Sequence, residues 1–373
     1  MSHNKTIPMI DLPRVHAAYQ SELDKAIHGV VKSGSYIGGP AVAEFQERLT
    51  NFMKTPTFGV GNGTDALQIA LMALGIGPGD EVIVPAFTYA ASAEVIALLG
   101  ATAVWCDVDP QTFNIDPESV KLALSAKTKA VIAVHLYGQL ADLEALESII
   151  GSVPIVEDTA QAFGARFTSG KHKGKFAGTV GAFGTLSFFP TKPLGGMGDG
   201  GAVITNDKSL FNKALSIARH GQSKKYVHDI IGVNSRLDPI QAAVLNVKLN
   251  HFDESLKRKQ EIAALYQDEL ASLERIELPK RVGYSSHVWH QFTLKVIDGN
   301  RDDLQSSLNQ AGISSMIYYP ISLADQNAYK NMVHRMPIET SRLLCKQVLS
   351  LPIDPSMSDE DVLYICQVIK QYF

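Results

Sequence analysis

The chain has 373 residues, 45% hydrophobic and 19% charged, and its 34 Lys and Arg against 38 Asp and Glu leave a formal net charge of −4. This is an ordinary globular composition, and without a block of like charges it excludes nucleic-acid binding by bulk phosphate neutralisation. No apolar stretch reaches the roughly 20 residues that a membrane helix needs, and segment 1–8 lacks a signal-peptide core, so a cytoplasmic protein with no membrane partner is expected.

Single cores stop growing at about 250–300 residues, so the length predicts two domains. The division expected is a large domain over 1–250, with an N-terminal helical segment, and a small α+β domain over 251–373. Tyr19, Leu23, Ile27 and Val30 recur at helical spacing, as do Val42, Phe45, Leu49 and Phe52 after the breaker Gly38-Gly39-Pro40. Seven short apolar runs follow, at 57–60, 82–84, 102–105, 130–134, 154–156, 184–188 and 202–205. Helical patterns at 65–74, 91–99, 117–124 and 143–149 separate several of them, an alternation that predicts a mostly parallel sheet covered on both faces. Ligands of such sheets bind at the carboxyl ends of the strands.

Residues 238–273 contain no glycine and no proline after Pro239, and their apolar period predicts one long helix bridging the domains. Beyond it, 287–296 and 314–319 read as strands, and 302–310, 339–349 and 359–372 as helices. Cys106, Cys345 and Cys366 stand apart, without ligand or disulfide spacing, and read as small buried hydrophobes. No metal is expected, because no Cys/His cluster has zinc spacing.

Gly61-Asn62-Gly63-Thr64-Asp65-Ala66 formally matches the dinucleotide fingerprint G-x-G-x-x-A between a strand and a helix. A dehydrogenase also needs an acidic residue after the next strand; here that strand exits through Pro85-Ala86-Phe87. The loop can still hold a phosphate on the helix start, or be a turn that needs glycine on steric grounds alone. A second formal match, Gly196-Met197-Gly198-Asp199-Gly200-Gly201, runs into a strand instead of a helix.

Three further elements complete a pattern. Glu157-Asp158-Thr159-Ala160-Gln161 closes one strand, Ser187-Phe188-Phe189-Pro190-Thr191-Lys192 closes another, and Phe87-Thr88-Tyr89 supplies a ring after a third. Singly, Lys192 reads as a surface lysine and Asp158 as a helix cap. Together with a phosphate-binding helix start they are what pyridoxal 5'-phosphate requires: a lysine to carry it, a carboxylate to keep its ring nitrogen protonated, and a cradle for its phosphate.

From Ile10 to about Tyr329 the chain resembles the DegT/DnrJ/EryC1/StrS family of nucleotide-sugar aminotransferases. The motifs are Gly34-Ser35-Tyr36-Ile37-Gly38-Gly39-Pro40, the loop from Gly61 to Leu67, Pro85 to Tyr89, Glu157 to Gln161, Ser187 to Lys192 and Gly198 to Gly201. The resemblance implies an α/β fold of type I, with a large domain holding a mostly parallel seven-stranded sheet between helices and a smaller C-terminal α+β domain. It implies a pyridoxal-phosphate transaminase that passes nitrogen from an amino acid, glutamate, to a keto group of a nucleotide-linked sugar for glycan biosynthesis.

By the same resemblance Lys192 carries the cofactor and shuttles protons, Asp158 pairs with the ring nitrogen, Gln161 meets the ring hydroxyl and Tyr89 stacks on the ring. Gly63, Thr64, Asp65 and Ser187 hold the phosphate. Asn234, in Gly232-Val233-Asn234-Ser235-Arg236-Leu237-Asp238-Pro239, reaches the phosphate of a neighbouring subunit, which implies a homodimer with shared sites. Arg236 and Tyr318 are expected at the substrate. Tyr318-Tyr319-Pro320 stands where many relatives have His-Tyr-Pro, and Ala324 where a second histidine is frequent; this variant resembles the branch that aminates carbon 3. Sugar dehydratases of the family have histidine at the lysine position, against which Lys192 argues. A cofactor-bearing regulator that binds a nucleotide sugar without turnover is the other alternative. The basic run Lys171-His172-Lys173-Gly174-Lys175 reads as a solvated loop or a diphosphate contact.

Overall fold

The computed structural model describes residues 6–373. Residues 1–5, part of the segment without a signal-peptide core, lie outside the described residues. No described helix is long and apolar enough to cross a membrane.

All seven expected runs form strands: β1 (Thr57–Val60), β2 (Glu81–Pro85), β3 (Thr102–Cys106), β4 (Thr128–Val134), β5 (Ile155–Asp158), β6 (Phe183–Ser187) and β7 (Gly201–Ile204). The sheet order is β1-β7-β6-β5-β4-β2-β3. β7 pairs antiparallel with both β1 and β6, and the other neighbours are parallel. Successive side chains of a strand alternate between two buried faces. Val82, Val84, Ala103 and Trp105 enter one core, and Ile83, Val104, Cys106 and Val131 the other. Helices Gly63–Leu74 and Ala91–Leu98 cover the first face, and Pro117–Ala123 and Leu143–Ile150 the second.

Among the described residues the sheet has eight strands instead of seven. Val333–His334 adds in parallel to the outer edge of β3. Two residues carry no period that a sequence pattern can register, and the pairing comes from the open edge of β3.

The expected long helix is two helices, Pro239–Asn250 and Phe252–Leu270, broken at His251. The break has a tertiary cause. The His251 ring stacks on Tyr19 at 4.5 Å, and its Nε2 lies 3.1 Å from a Glu22 oxygen.

The expected strand at 287–296 shrinks to Phe292–Val296, because Trp289 takes a positive φ of 51° and His287 Nδ1 accepts the Trp289 N–H. Segment 314–319 makes only an isolated bridge, between Met316 and Ser350, and the expected helix at 339–349 ends at Gln347 before strand Val348–Leu351. Phe292–Val296 pairs antiparallel with Ile276–Glu277 and Val348–Leu351, and this small sheet packs with Phe252–Leu270, Arg301–Gln310 and Asp359–Tyr372 around a separate core. The three cysteines are buried.

Candidate active site

The carboxyl ends of β2, β4, β5 and β6, the helix start at Gly63 and the segment around Tyr318 surround a cavity of about 670 Å³. Gly63, Thr64, Asp65, Tyr89, Asp158, Gln161, Ser187, Lys192 and Tyr318 all line it. Asn234 and Arg236 do not. They lie on the surface, where the Arg236 guanidinium donates to the Asn234 amide oxygen.

The phosphate-cradle end is built from backbone. Asn62 caps helix Gly63–Leu74 by accepting the Asp65 N–H at 2.7 Å, which leaves the Gly63 and Thr64 amides at the helix mouth for a ligand. Position 63 must be glycine, since a Cβ there would come 2.7 Å from Ser187 Cβ. That approach sets the Ser187 hydroxyl beside the helix start. Ser235, which sequence reading passed over, braces the loop: its Oγ accepts the Gly61 N–H at 2.9 Å and donates to Asp65 at 2.6 Å.

Asp158 is buried at the end of β5. It accepts from Ser92 Oγ at 2.8 Å and from the Ala160 N–H at 3.2 Å. Ser92 also was not foreseen; the only clue is a hydroxyl in the otherwise apolar start of Ala91–Leu98. Its neighbour Glu157, on the other face of the strand, is fully buried and accepts from Gly178, Val180 and Gly181 N–H at 2.7 Å each. His135 Nδ1 accepts from Ala141 N–H, so its Nε2–H donates to Glu157 at 2.8 Å.

Burial pushes the Glu157 carboxyl up, but the His135 and amide hydrogen bonds outweigh this and hold it below 4.5. The stabilisation is therefore present above pH 4.5 and is lost as pH falls through the lower folded value. Glu157→Ala, which leaves the buried Gly178 amide, the half-buried Val180 and Gly181 amides and His135 unpaired, should cost about 3–5 kcal/mol in urea unfolding at neutral pH; a cost under about 1 kcal/mol would contradict this reading.

Lys192 lies on a tight turn after β6. Its N–H bonds Phe189 O at 2.8 Å, and Gly196 N–H returns to Phe188 O at 2.7 Å. The turn also needs Gly195, where a Cβ would sit 2.2 Å from Pro190 O. Burial pushes the Lys192 amine below its ordinary value, with Asp158 opposing. The cavity thus holds an amine biased towards its neutral form and facing the field of a carboxylate.

Gln161 is fixed at both ends: its Oε1 accepts the Tyr137 N–H at 2.7 Å and its Nε2 donates to Tyr319 Oη at 3.3 Å. The Tyr137 hydroxyl donates to Tyr318 O, which ties the Tyr318 segment to the cavity wall. Tyr89 is half-exposed, its ring 6.3 Å from that of Tyr319. His290 and Gln291 also line the cavity, delivered by the turn at Trp289 that replaces the expected strand. Burial, with Lys192 and Lys259 nearby, holds His290 well below its usual range. Within the basic run, Lys171 and His172 both meet Glu147, while Lys173 and Lys175 are exposed.

The model of the DegT/DnrJ/EryC1/StrS aminotransferase family matches residues 18–370. The chain belongs to that family. A similar protein is the UDP-2-acetamido-2-deoxy-3-oxo-D-glucuronate aminotransferase of Pseudomonas aeruginosa, 42% identical over 97% of this chain and 99% of that protein. Among solved structures, S. venezuelae DesV superposes with a TM-score of 0.93 at 37% identity, covering 99% of each chain. The PLP form of the putative sugar aminotransferase Spr1654 from Streptococcus pneumoniae superposes with a TM-score of 0.87 at 26% identity, covering 94% of this chain and 95% of that one. The aminotransferase fold expected from the motifs is therefore present over nearly the whole chain.

Proposed function

We propose that this aminotransferase passes an amino group from glutamate to the 3-keto group of a nucleotide-linked sugar, in the cytoplasm, with pyridoxal 5'-phosphate carried on Lys192. The observation that carries the reading is one cavity lined by Lys192, Asp158 and the Gly63 helix start. The residues fit the cofactor by their chemistry. A buried carboxylate held by Ser92 suits a protonated ring nitrogen, a desolvated lysine amine suits a carbonyl carbon, and free amides at a helix start suit a phosphate.

Bound there, the cofactor supplies an electron sink for the carbanion formed at the reacting carbon and a temporary seat for the amino group. Asp158 keeps a proton on the ring nitrogen. The Lys192 amine, once released from the cofactor, would take the proton from the donor's α-carbon, and would return a proton to the sugar carbon in the second half-reaction. Thr64, Asp65 and Ser187 would hold the phosphate end, Gln161 would meet the ring hydroxyl and Tyr89 would cover the ring. Tyr318 lies where a substrate enters.

Asn234 and Arg236 act across a subunit boundary in this reading, reaching the partner's site in a homodimer. Exposed apolar side chains near them, Tyr226 at 80% and Ile231 at 87%, support a covered surface there. The similar Pseudomonas enzyme is named for a 3-oxo sugar substrate, which supports carbon 3.

Incubation with ¹⁵N-glutamate and a panel of UDP- and dTDP-linked 3-keto and 4-keto sugars tests the reading. Expected are 2-oxoglutarate and a sugar labelled at carbon 3. No 2-oxoglutarate with any acceptor would overturn the glutamate reading, and label at carbon 4 would overturn the positional one.

A further inference from the structure

Behind the turn that carries Lys192 lies a second, smaller cavity of about 60 Å³. Phe252, Ser255, Leu256 and Lys259 line it from one stripe of helix Phe252–Leu270, at three- and four-residue spacing. Lys248 enters from helix Pro239–Asn250, and Leu12 and Val15 from helix Leu12–Ala17. Thr191 and Lys192 line this cavity and the active-site cavity alike.

The charges here do not balance. Lys259 is 8% exposed and makes no ion pair or hydrogen bond among the described residues. Lys248 Nζ donates to His16 Nε2 at 3.2 Å, a neutral acceptor in that role. Burial and the Lys248 charge hold His16 below its usual range. The carboxylate within their field, Asp354, is 1% exposed and engaged elsewhere. It accepts from Asp11 N–H at 2.8 Å, Ser356 N–H at 2.7 Å and Ser356 Oγ at 2.5 Å. Burial pushes both lysines down, to about 8. Lys259 thus feels Asp354 only through space, and neither lysine has a carboxylate in contact among the described residues.

We propose that this cavity binds a small monovalent anion of halide size, held by Lys259 with Lys248 opposite, against the back of the Lys192 turn. A water needs about 10–15 Å³ of such space, so there is room for one halide and a few waters but not for a sugar or a nucleotide. Leu12, Val15, Leu194, Phe252 and Leu256 give the cavity apolar wall that suits a weakly hydrated ion, beside the hydroxyl-bearing Ser255 and Thr191. The inference stands apart from the transaminase reading, since it concerns binding and not turnover.

Bromide tests it. Crystals of the cofactor-loaded protein grown in sodium gluconate and soaked in sodium bromide should show an anomalous peak in contact with Lys259 Nζ. In solution, exchanging gluconate for bromide at fixed ionic strength should raise the melting temperature saturably. Lys259→Met should abolish the saturable part, and Lys248→Met should raise the half-saturating bromide at least tenfold. Bromide peaks confined to the outer surface, or an equal bromide response in wild type and Lys259→Met, would overturn the proposal. Should Lys259→Met not fold, the anomalous map of the wild type decides alone.

Discussion

Lys192→Ala should abolish transamination, with 2-oxoglutarate release from glutamate falling by about 10⁴-fold or more. The size of the loss follows from two duties meeting in one amine. In the proposed reading the same amine would both anchor the cofactor and carry protons in each half-reaction. No second amine among the lining side chains can substitute, because Lys192 is the sole lysine of the active-site cavity among the described residues. Its neutral form is favoured by the burial that pushes its amine down. Folding should survive, since Lys192 contributes no described side-chain hydrogen bond and its turn is closed through backbone bonds at 189–192 and 188–196. A variant that folds and keeps more than about 1% of the wild-type rate would remove Lys192 from its proposed role.

Asp158→Asn should lower turnover by roughly 10³-fold while leaving the cofactor bound. The substitution is nearly isosteric, and the amide oxygen can still accept from Ser92 as Oδ2 does now at 2.8 Å. What disappears is the negative charge that, in the proposed reading, would keep a proton on the ring nitrogen and so let the ring accept electrons. Stability should change little beside Glu157→Ala, because Asp158 accepts two bonds at the cavity edge where Glu157 accepts four in the interior. Single-turnover kinetics with glutamate measure the effect on chemistry apart from binding. A rate within tenfold of wild type would contradict the pairing of Asp158 with the ring nitrogen.

The sheet was legible in the sequence because its central strands are buried on both faces and read as largely apolar runs. Val82, Ile83 and Val84 divide between two cores, yet all three are apolar. The cavity was legible for a related reason. In parallel strands the chemistry collects where apolar runs stop, so Asp158, Ser187 and Pro85 mark one edge before any coordinates are known.

What stayed hidden depends on partners far away in the chain. His251 breaks a helix through Tyr19 and Glu22, with no proline or glycine to announce it. Trp289 turns against His287, and so brings His290 to the active-site cavity from a segment whose local pattern is that of a strand. Ser92 and Ser235 act through single hydroxyls, which no period or motif distinguishes from surface serines. Lys259 falls on an otherwise ordinary amphipathic stripe, and its isolation emerges only once the helices around it are packed.

Borohydride reduction of the purified protein, followed by proteolysis and mass mapping, goes most directly to the attachment on which the proposed chemistry rests. One stoichiometric pyridoxyl label on the peptide containing Lys192, lost after prior treatment with glutamate, is the expected result. A label on any other lysine, or a Lys192 peptide recovered unmodified from protein that contains the cofactor, would contradict it.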